Sequence, residues 1–125
     1  MIILDTSIVI EYLKGNDKII EVVDEYSRDS TTGITYISLY ELLKYSNNEQ
    51  NGLDELIETI KVVYPDETSA SRSAEIYRKL KNLGNLINEN DILIAGSALK
   101  NDNKFITLDS DFNKVGDTNI IVLEI

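Results

Sequence analysis

Apolar residues arrive along this chain in two rhythms. Short unbroken runs rich in β-branched and aromatic residues read as strands, and between them lie stretches whose apolar positions recur at helical spacing. Met1 to Leu4 is the first run, and Ser7 to Leu13 then carries a helical apolar face that Gly15 stops. Lys18 to Tyr26 reads as a second helix with Ile19, Ile20, Val22 and Val23 inside. Gly33 to Ile37 is a strand, Ser38 to Tyr45 a helix, and 46–52 a polar loop. Leu53 to Ile60 is helical, and Val62 to Tyr64 is a strand that Pro65 terminates. The longest helical pattern, Glu67 to Leu83, sets Ala70, Ala74, Tyr77, Leu80 and Leu83 near one face, with Gly84 just past its end. Asp91 to Leu99 is a short apolar helix, and Phe105 to Leu108 and Ile120 to Leu123 are the last strands.

Alternating helices and continuously apolar strands predict an α/β fold whose parallel sheet is covered on both faces. At 125 residues and 42% hydrophobic, the chain suits one domain, 1–125, with a real core. Nothing reads as a linker, a repeat or a low-complexity segment. The chain does not open on a basic stretch followed by an apolar one, and no apolar run approaches the roughly 20 residues that span a bilayer. A soluble, cytoplasmic protein is therefore expected, with no membrane partner.

The residues that are missing narrow the chemistry. There is no cysteine, hence no disulfide, thiolate nucleophile or ordinary zinc site, and no histidine, the commonest general base. Carboxylates, hydroxyls, lysines or a metal must do the work. A net charge of −10 argues against gripping nucleic acid through a broad basic surface. It does not exclude such a substrate, because a bound cation can supply attraction at the site itself.

Four acids fall where a strand ends or a helix begins: Asp5 after the first strand, Glu41 in the helix after the second, Asp91 opening its helix, and Asp109 after the fourth strand. In open parallel sheets ligands bind at the carboxyl ends of the strands, so all four side chains can converge on one edge. Carboxylates gathered without counter-charge repel one another, and a divalent cation resolves the conflict. Each acid also has a plainer reading. Ser38 with Glu41 matches a capping box, and Asp91 beside the N-cap candidate Asn90 complements a helix dipole. Asp109 and Asp111 suit a turn, and Asp5 with Thr6 suits a cap. Two other families fail on spacing. Asp109, Asp111 and Asn113 begin like a calcium loop, but Lys114 stands where glycine is required and Ile120 where the bidentate glutamate belongs. A phosphoacceptor receiver needs an early acidic pair, and Leu4-Asp5-Thr6 offers one acid.

The whole pattern resembles the PIN domain, in particular the VapC-like ribonuclease toxins of toxin–antitoxin pairs. Ile2-Ile3-Leu4-Asp5-Thr6-Ser7 is similar to that family's opening strand and first acid, and Ser38-Leu39-Tyr40-Glu41-Leu42-Leu43 to the segment bearing the second. Gly84, Ile87, Asp91, Ile94, Ala95 and Ala98 fit the stretch with the third acid, and Phe105 to Asp109 with Asp111-Phe112 the closing strand and fourth. Gly96 departs from the alanine such proteins often carry there. The resemblance implies a three-layer α/β/α sandwich around a central parallel sheet of about five strands. It also implies an endoribonuclease that uses Mg²⁺ or Mn²⁺ at Asp5, Glu41, Asp91 and Asp109. Thr6, Ser7, Thr107 and Asp111 would support that site. An RNA substrate, a VapB-like antitoxin and a homodimer follow as expected partners. The alternative from another class is a binding module of the same fold, with Ile10, Leu13, Leu39, Tyr40 and Leu43 as groove candidates. Arg72, Arg78, Lys79 and Lys81 are candidate RNA guides beside their plainer role on a solvated helix face.

Overall fold

The computed structural model describes residues 1–45 and 52–124, so most of the predicted loop at 46–52 lies outside the described residues. Five strands form one parallel sheet: β1 (Ile2–Leu4), β2 (Thr32–Thr35), β3 (Lys61–Val63), β4 (Lys104–Thr107) and β5 (Ile120–Val122), in the order β3-β2-β1-β4-β5. The chain builds outward from β1 to β3, then returns to β1's other side. The switch therefore falls between β1 and β4, where an open sheet leaves a crevice at its carboxyl edge.

Alternation along the strands splits the core into two layers. Ile2, Leu4, Ile34 and Ile106 pack with Ile8, Val9, Ile19, Val23, Leu42 and Leu53. These come from α1 (Thr6–Leu13), α2 (Asp17–Ser27), α3 (Tyr36–Tyr45) and α4 (Leu53–Thr59). On the opposite face Ile3 and Phe105 pack with Ile76, Leu80, Ile92, Ile94 and Ala95 of α5 (Glu67–Asn82) and α6 (Glu89–Ala98). The expected sandwich is thus present. Among the described residues no helix is long and apolar enough to cross a membrane.

Three local expectations need correction. The strand expected at 33–37 stops at Thr35, and the helix starts at Tyr36, not Ser38. Thr35 explains the shift, since its hydroxyl accepts the Ser38 amide at 3.1 Å and so caps α3. The buried face of α5 is Ser69, Ser73, Ile76 and Leu80, whereas Ala70 is exposed and Leu83 is 65% exposed. Small residues are needed there because α6 lies almost against α5. A Cβ on Gly96 would stand 1.9 Å from the Ser73 hydroxyl and 2.8 Å from its amide nitrogen. The alanine that similar proteins often carry would not fit here without a shift. Finally, α6 begins at Glu89 with Asn88 as its cap, two residues before the expected start and cap.

Candidate active site

Strand parity aims the first acid. Asp5 continues β1, its amide donating to the Ile106 carbonyl at 2.9 Å, so its side chain lies on the Ile3 face, toward α6. Thr107, at the end of β4, shares that face and donates its hydroxyl to Asp5 Oδ2 at 2.6 Å. Ser7 donates to the same oxygen at 3.1 Å while accepting the Leu108 amide. Thr107 in turn accepts the Asp109 amide at 3.0 Å. Asp5 precedes α1 but makes no side-chain cap bond to it, so the capping reading of Asp5 fails.

The capping reading of Glu41 fails as well. With Thr35 capping α3, Glu41 lies beyond the first turn, and its Oε1 accepts the Thr6 hydroxyl at 2.9 Å. That bond ties α3 to α1. Asp91 sits third in α6, where the helix dipole favours a carboxylate. The turn reading of Asp109 holds for one oxygen: Oδ1 accepts the Asp111 amide at 2.9 Å, capping the 3₁₀ turn Ser110–Val115. Phe112 of that turn packs edge-on against Phe105, centroids 5.0 Å apart, which fixes the turn to the sheet. Asp111 is exposed and lies 3.7 Å from Lys114. Thr35 was not singled out in the sequence, although a threonine ending a strand before a helical run is a recognisable cap signal.

Electrostatics joins these acids. Asp5 is only 6% exposed, and burial pushes its carboxyl above the usual range. The hydroxyls of Thr107 and Ser7 oppose that rise, and Glu41 adds to it. Asp91 is pushed up to about 6, first by burial and then by repulsion from Asp109, Asp5, Glu41 and Asp111. Among the described residues, no ion pair is made by Asp5, Glu41, Asp91 or Asp109. Nor do any three acids there stand ready as a finished metal cage. The donor set fits a hard cation in kind, with oxygen donors in excess of positive charge. A cleft of about 460 Å³ lined by Met1, Tyr26 and Lys104 lies at the sheet's opposite edge, outside this cluster.

The basic residues proposed as guides are largely occupied. Arg72 pairs with Asp117 at 2.8 Å, Lys79 donates to the Val115 carbonyl at 2.7 Å, and Lys81 lies over Tyr77. Of the groove candidates, Leu13 and Leu39 pack against the core, while Ile10, Tyr40 and Leu43 are 38%, 53% and 50% exposed.

Relatives agree with this architecture. A PIN domain profile matches residues 2–122. Ribonuclease VapC1 of Haemophilus influenzae is 30% identical over 122 residues, which cover 91% of each chain. Ribonuclease VapC3 of Methanocaldococcus jannaschii is 29% identical over 93 residues, 74% of this chain and 93% of that one. Among solved structures, VapBC-1 of nontypeable Haemophilus influenzae aligns with a TM-score of 0.82 at 30% identity over 98% of both chains. A toxin–antitoxin complex from Klebsiella pneumoniae, at 19% identity and a TM-score of 0.79, shares the fold. With acids gathered at the switch point of a five-stranded parallel sheet and the profile spanning nearly every residue, the chain belongs to the PIN domain family and is similar to its VapC ribonucleases.

Proposed function

We propose that this protein is a Mg²⁺- or Mn²⁺-dependent endoribonuclease, the toxin of a VapBC-type pair, acting in the cytoplasm. One observation carries the reading. At the sheet's switch point Asp91 is held near 6 by burial and by four other acids, and among the described residues no ion pair is made by Asp91 itself or by Asp5, Glu41 and Asp109, Asp111 alone facing a cation, Lys114. A site that leaves carboxylates in unrelieved repulsion is built for a cation from outside.

Asp5 and Asp91 would hold the ion, with Glu41 and Asp109 completing its shell directly or through water. When bound, it would supply Lewis acidity toward a phosphodiester and lower the pKa of a coordinated water, in a chain that has no histidine to serve as base. The chain's own residues prepare the site. Thr107 and Ser7 fix Asp5 Oδ2, while Thr6 fixes one oxygen of Glu41. Thr107 also links Asp5 to the Asp109 backbone, so the β1 and β4 acids keep a common frame. Asp111, exposed and facing Lys114, adds the smallest share of the negative field at Asp91.

The likeness to VapC ribonucleases and to VapBC complexes supports an antitoxin partner of the VapB kind, and the homodimer belongs to the same reading. Such an antitoxin is expected to present a basic side chain to the acids, relieving their repulsion while blocking metal or substrate, so its affinity falls as salt rises. The ribonuclease reading is tested with protein purified free of any inhibitor. It should cleave RNA with Mg²⁺ or Mn²⁺ and stop in EDTA, and absence of any cleavage that Asp91→Asn removes would overturn the assignment.

A further inference from the structure

The chain has seven tyrosines, and their distribution is uneven. Tyr12, Tyr26 and Tyr77 pack against the two cores. Tyr36, Tyr40 and Tyr64 are 50%, 53% and 62% exposed, and Tyr36 and Tyr64 lie at the edge of the sheet that carries the acids. Tyr36 follows the last residue of β2 and Tyr64 the last residue of β3. The register pairs Thr35 with Val63, so the two rings emerge side by side, with centroids 5.9 Å apart and planes tilted by 40°. Tyr40 differs, because the Lys44 ammonium lies over its ring at 5.7 Å.

Resting on the ribonuclease reading above, we propose that Tyr36 and Tyr64 form a stacking platform for a base of single-stranded RNA whose backbone runs over Asp5 and Asp91. Three observations favour a nucleobase. The platform lies on the same carboxyl edge as Asp5, displaced by the two strand spacings from β1 to β3, which is about 10 Å and within reach of a neighbouring nucleotide. The chain's charge of −10 leaves little for phosphate to gain, whereas stacking on a ring face costs no countercharge and accepts any base. Two of the four candidate phosphate-binding cations are committed elsewhere, Arg72 to Asp117 and Lys79 to the Val115 carbonyl. Exposed tyrosine also suits the task, since each ring offers an apolar face and a hydroxyl at its rim.

The experiment separates base from backbone. Fluorescein-labelled oligoadenylate and an abasic ribose-phosphate oligomer of equal length are titrated, by anisotropy, with wild type, Tyr36→Leu, Tyr64→Leu and both Tyr→Phe variants. Leucine keeps apolar bulk and removes the ring. Each leucine variant should bind oligoadenylate roughly 5- to 100-fold more weakly, while binding the abasic strand like wild type and keeping its melting temperature. The phenylalanine variants should match wild type on both. Equal losses on both strands, accompanied by a change in sedimentation, would assign the pair to an interface between protein chains and overturn the platform. Wild-type protein that cleaves RNA while the leucine variants keep wild-type affinity and KM overturns the platform alone. Wild-type protein that neither binds nor cleaves either RNA fails the ribonuclease reading, and the platform with it.

Discussion

Asp5 and Asp66 both stand just past the carboxyl end of a strand, and the fold treats them in opposite ways. Asp66 has every partner an acid can want. Its Oδ1 accepts the Ser69 amide at 2.9 Å and the Ser69 hydroxyl at 3.0 Å, capping α5, and Lys100 reaches Oδ2 at 3.0 Å. Those bonds, the Ser69 amide first, hold its carboxyl down at about 2. Asp5 is buried, receives two hydroxyls on one oxygen, meets no cation among the described residues and is pushed up. Position at a strand end therefore says little. An acid completed by the protein is structural, and an acid left incomplete beside others awaits a partner from outside.

The largest effect should come from removing incompleteness on one side of this comparison only. Asp5→Asn and Asp91→Asn are each expected to lower metal-dependent RNA cleavage by more than about 100-fold, above the roughly 10- to 100-fold that losing an outer partner of a metal site costs. Thr107→Val, which keeps shape and deletes the bond to Asp5, should fall within that lower range. Asp66→Asn should leave cleavage unchanged. Initial rates on one RNA across a Mg²⁺ titration check all four, and a comparable loss in Asp66→Asn would break the distinction.

Next in size is a change in the frame that holds Asp91. Gly96→Ala drives a methyl group into Ser73, whose amide nitrogen and Cα would lie 2.8 and 2.9 Å away. Helix α6 must then shift off α5. The expected cost is about 1 to 3 kcal/mol in a urea melt, with a fall in cleavage because Asp91 moves with its helix. Ser73→Gly should recover part of the stability, since it removes the hydroxyl clash at 1.9 Å but leaves the backbone contact. Full recovery would show that the hydroxyl alone matters. No loss in the single variant would refute the close approach.

Much of this was legible beforehand, and the misses share one cause. The strands are legible because runs such as Ile2-Ile3-Leu4 and Phe105-Ile106 are apolar throughout, as a doubly covered sheet requires. Asp5 and Asp109 stand out as candidates because strand ends are visible in such a pattern, and Glu41 and Asp91 because helix starts are. What the sequence hid was tertiary choice among locally equal options. Thr35 and Ser38 could each cap α3, and Thr35 does, which frees Glu41 to meet Thr6. Ala70 and Ala74 look more buried than Ser69 and Ser73, yet the serines are the buried pair and Ser73 faces Gly96, because closeness of two helices selects small size over apolarity. Convergence of four acids on Asp91 is likewise a property of topology, since residues up to 86 positions away meet only when β4 is inserted beside β1.

The smallest effect is the most direct reading of the two kinds of acid, because it gives them opposite slopes with pH. Asp91 has its folded carboxyl at about 6 against 3.8 in the unfolded chain. Below about pH 4 it is protonated in both states and costs nothing. As pH rises the unfolded chain ionises first, so the metal-free fold loses stability up to about 6 and stays penalised above it. Asp66, at about 2 when folded against 3.8 unfolded, contributes stability above that range and loses it as pH falls through it. In EDTA the wild-type melting temperature should therefore decline between pH 4 and 7, by a few degrees because solvent screens the half-exposed Asp91. Asp91→Asn should flatten most of that decline and raise the melting temperature at neutral pH, with Asp5→Asn gaining less because its new amide would sit beside two hydroxyl donors. Asp66→Asn should keep the decline intact, since asparagine caps α5 as well as aspartate does. Mg²⁺ should reverse the slope for wild type and Asp66→Asn but not for Asp5→Asn or Asp91→Asn, its stabilisation growing as pH passes about 6 and the metal no longer competes with a proton on Asp91. Parallel profiles for Asp91→Asn and wild type, with equal responses to Mg²⁺, would show that Asp91 is as complete as Asp66 and that the acids at the switch point are not one site.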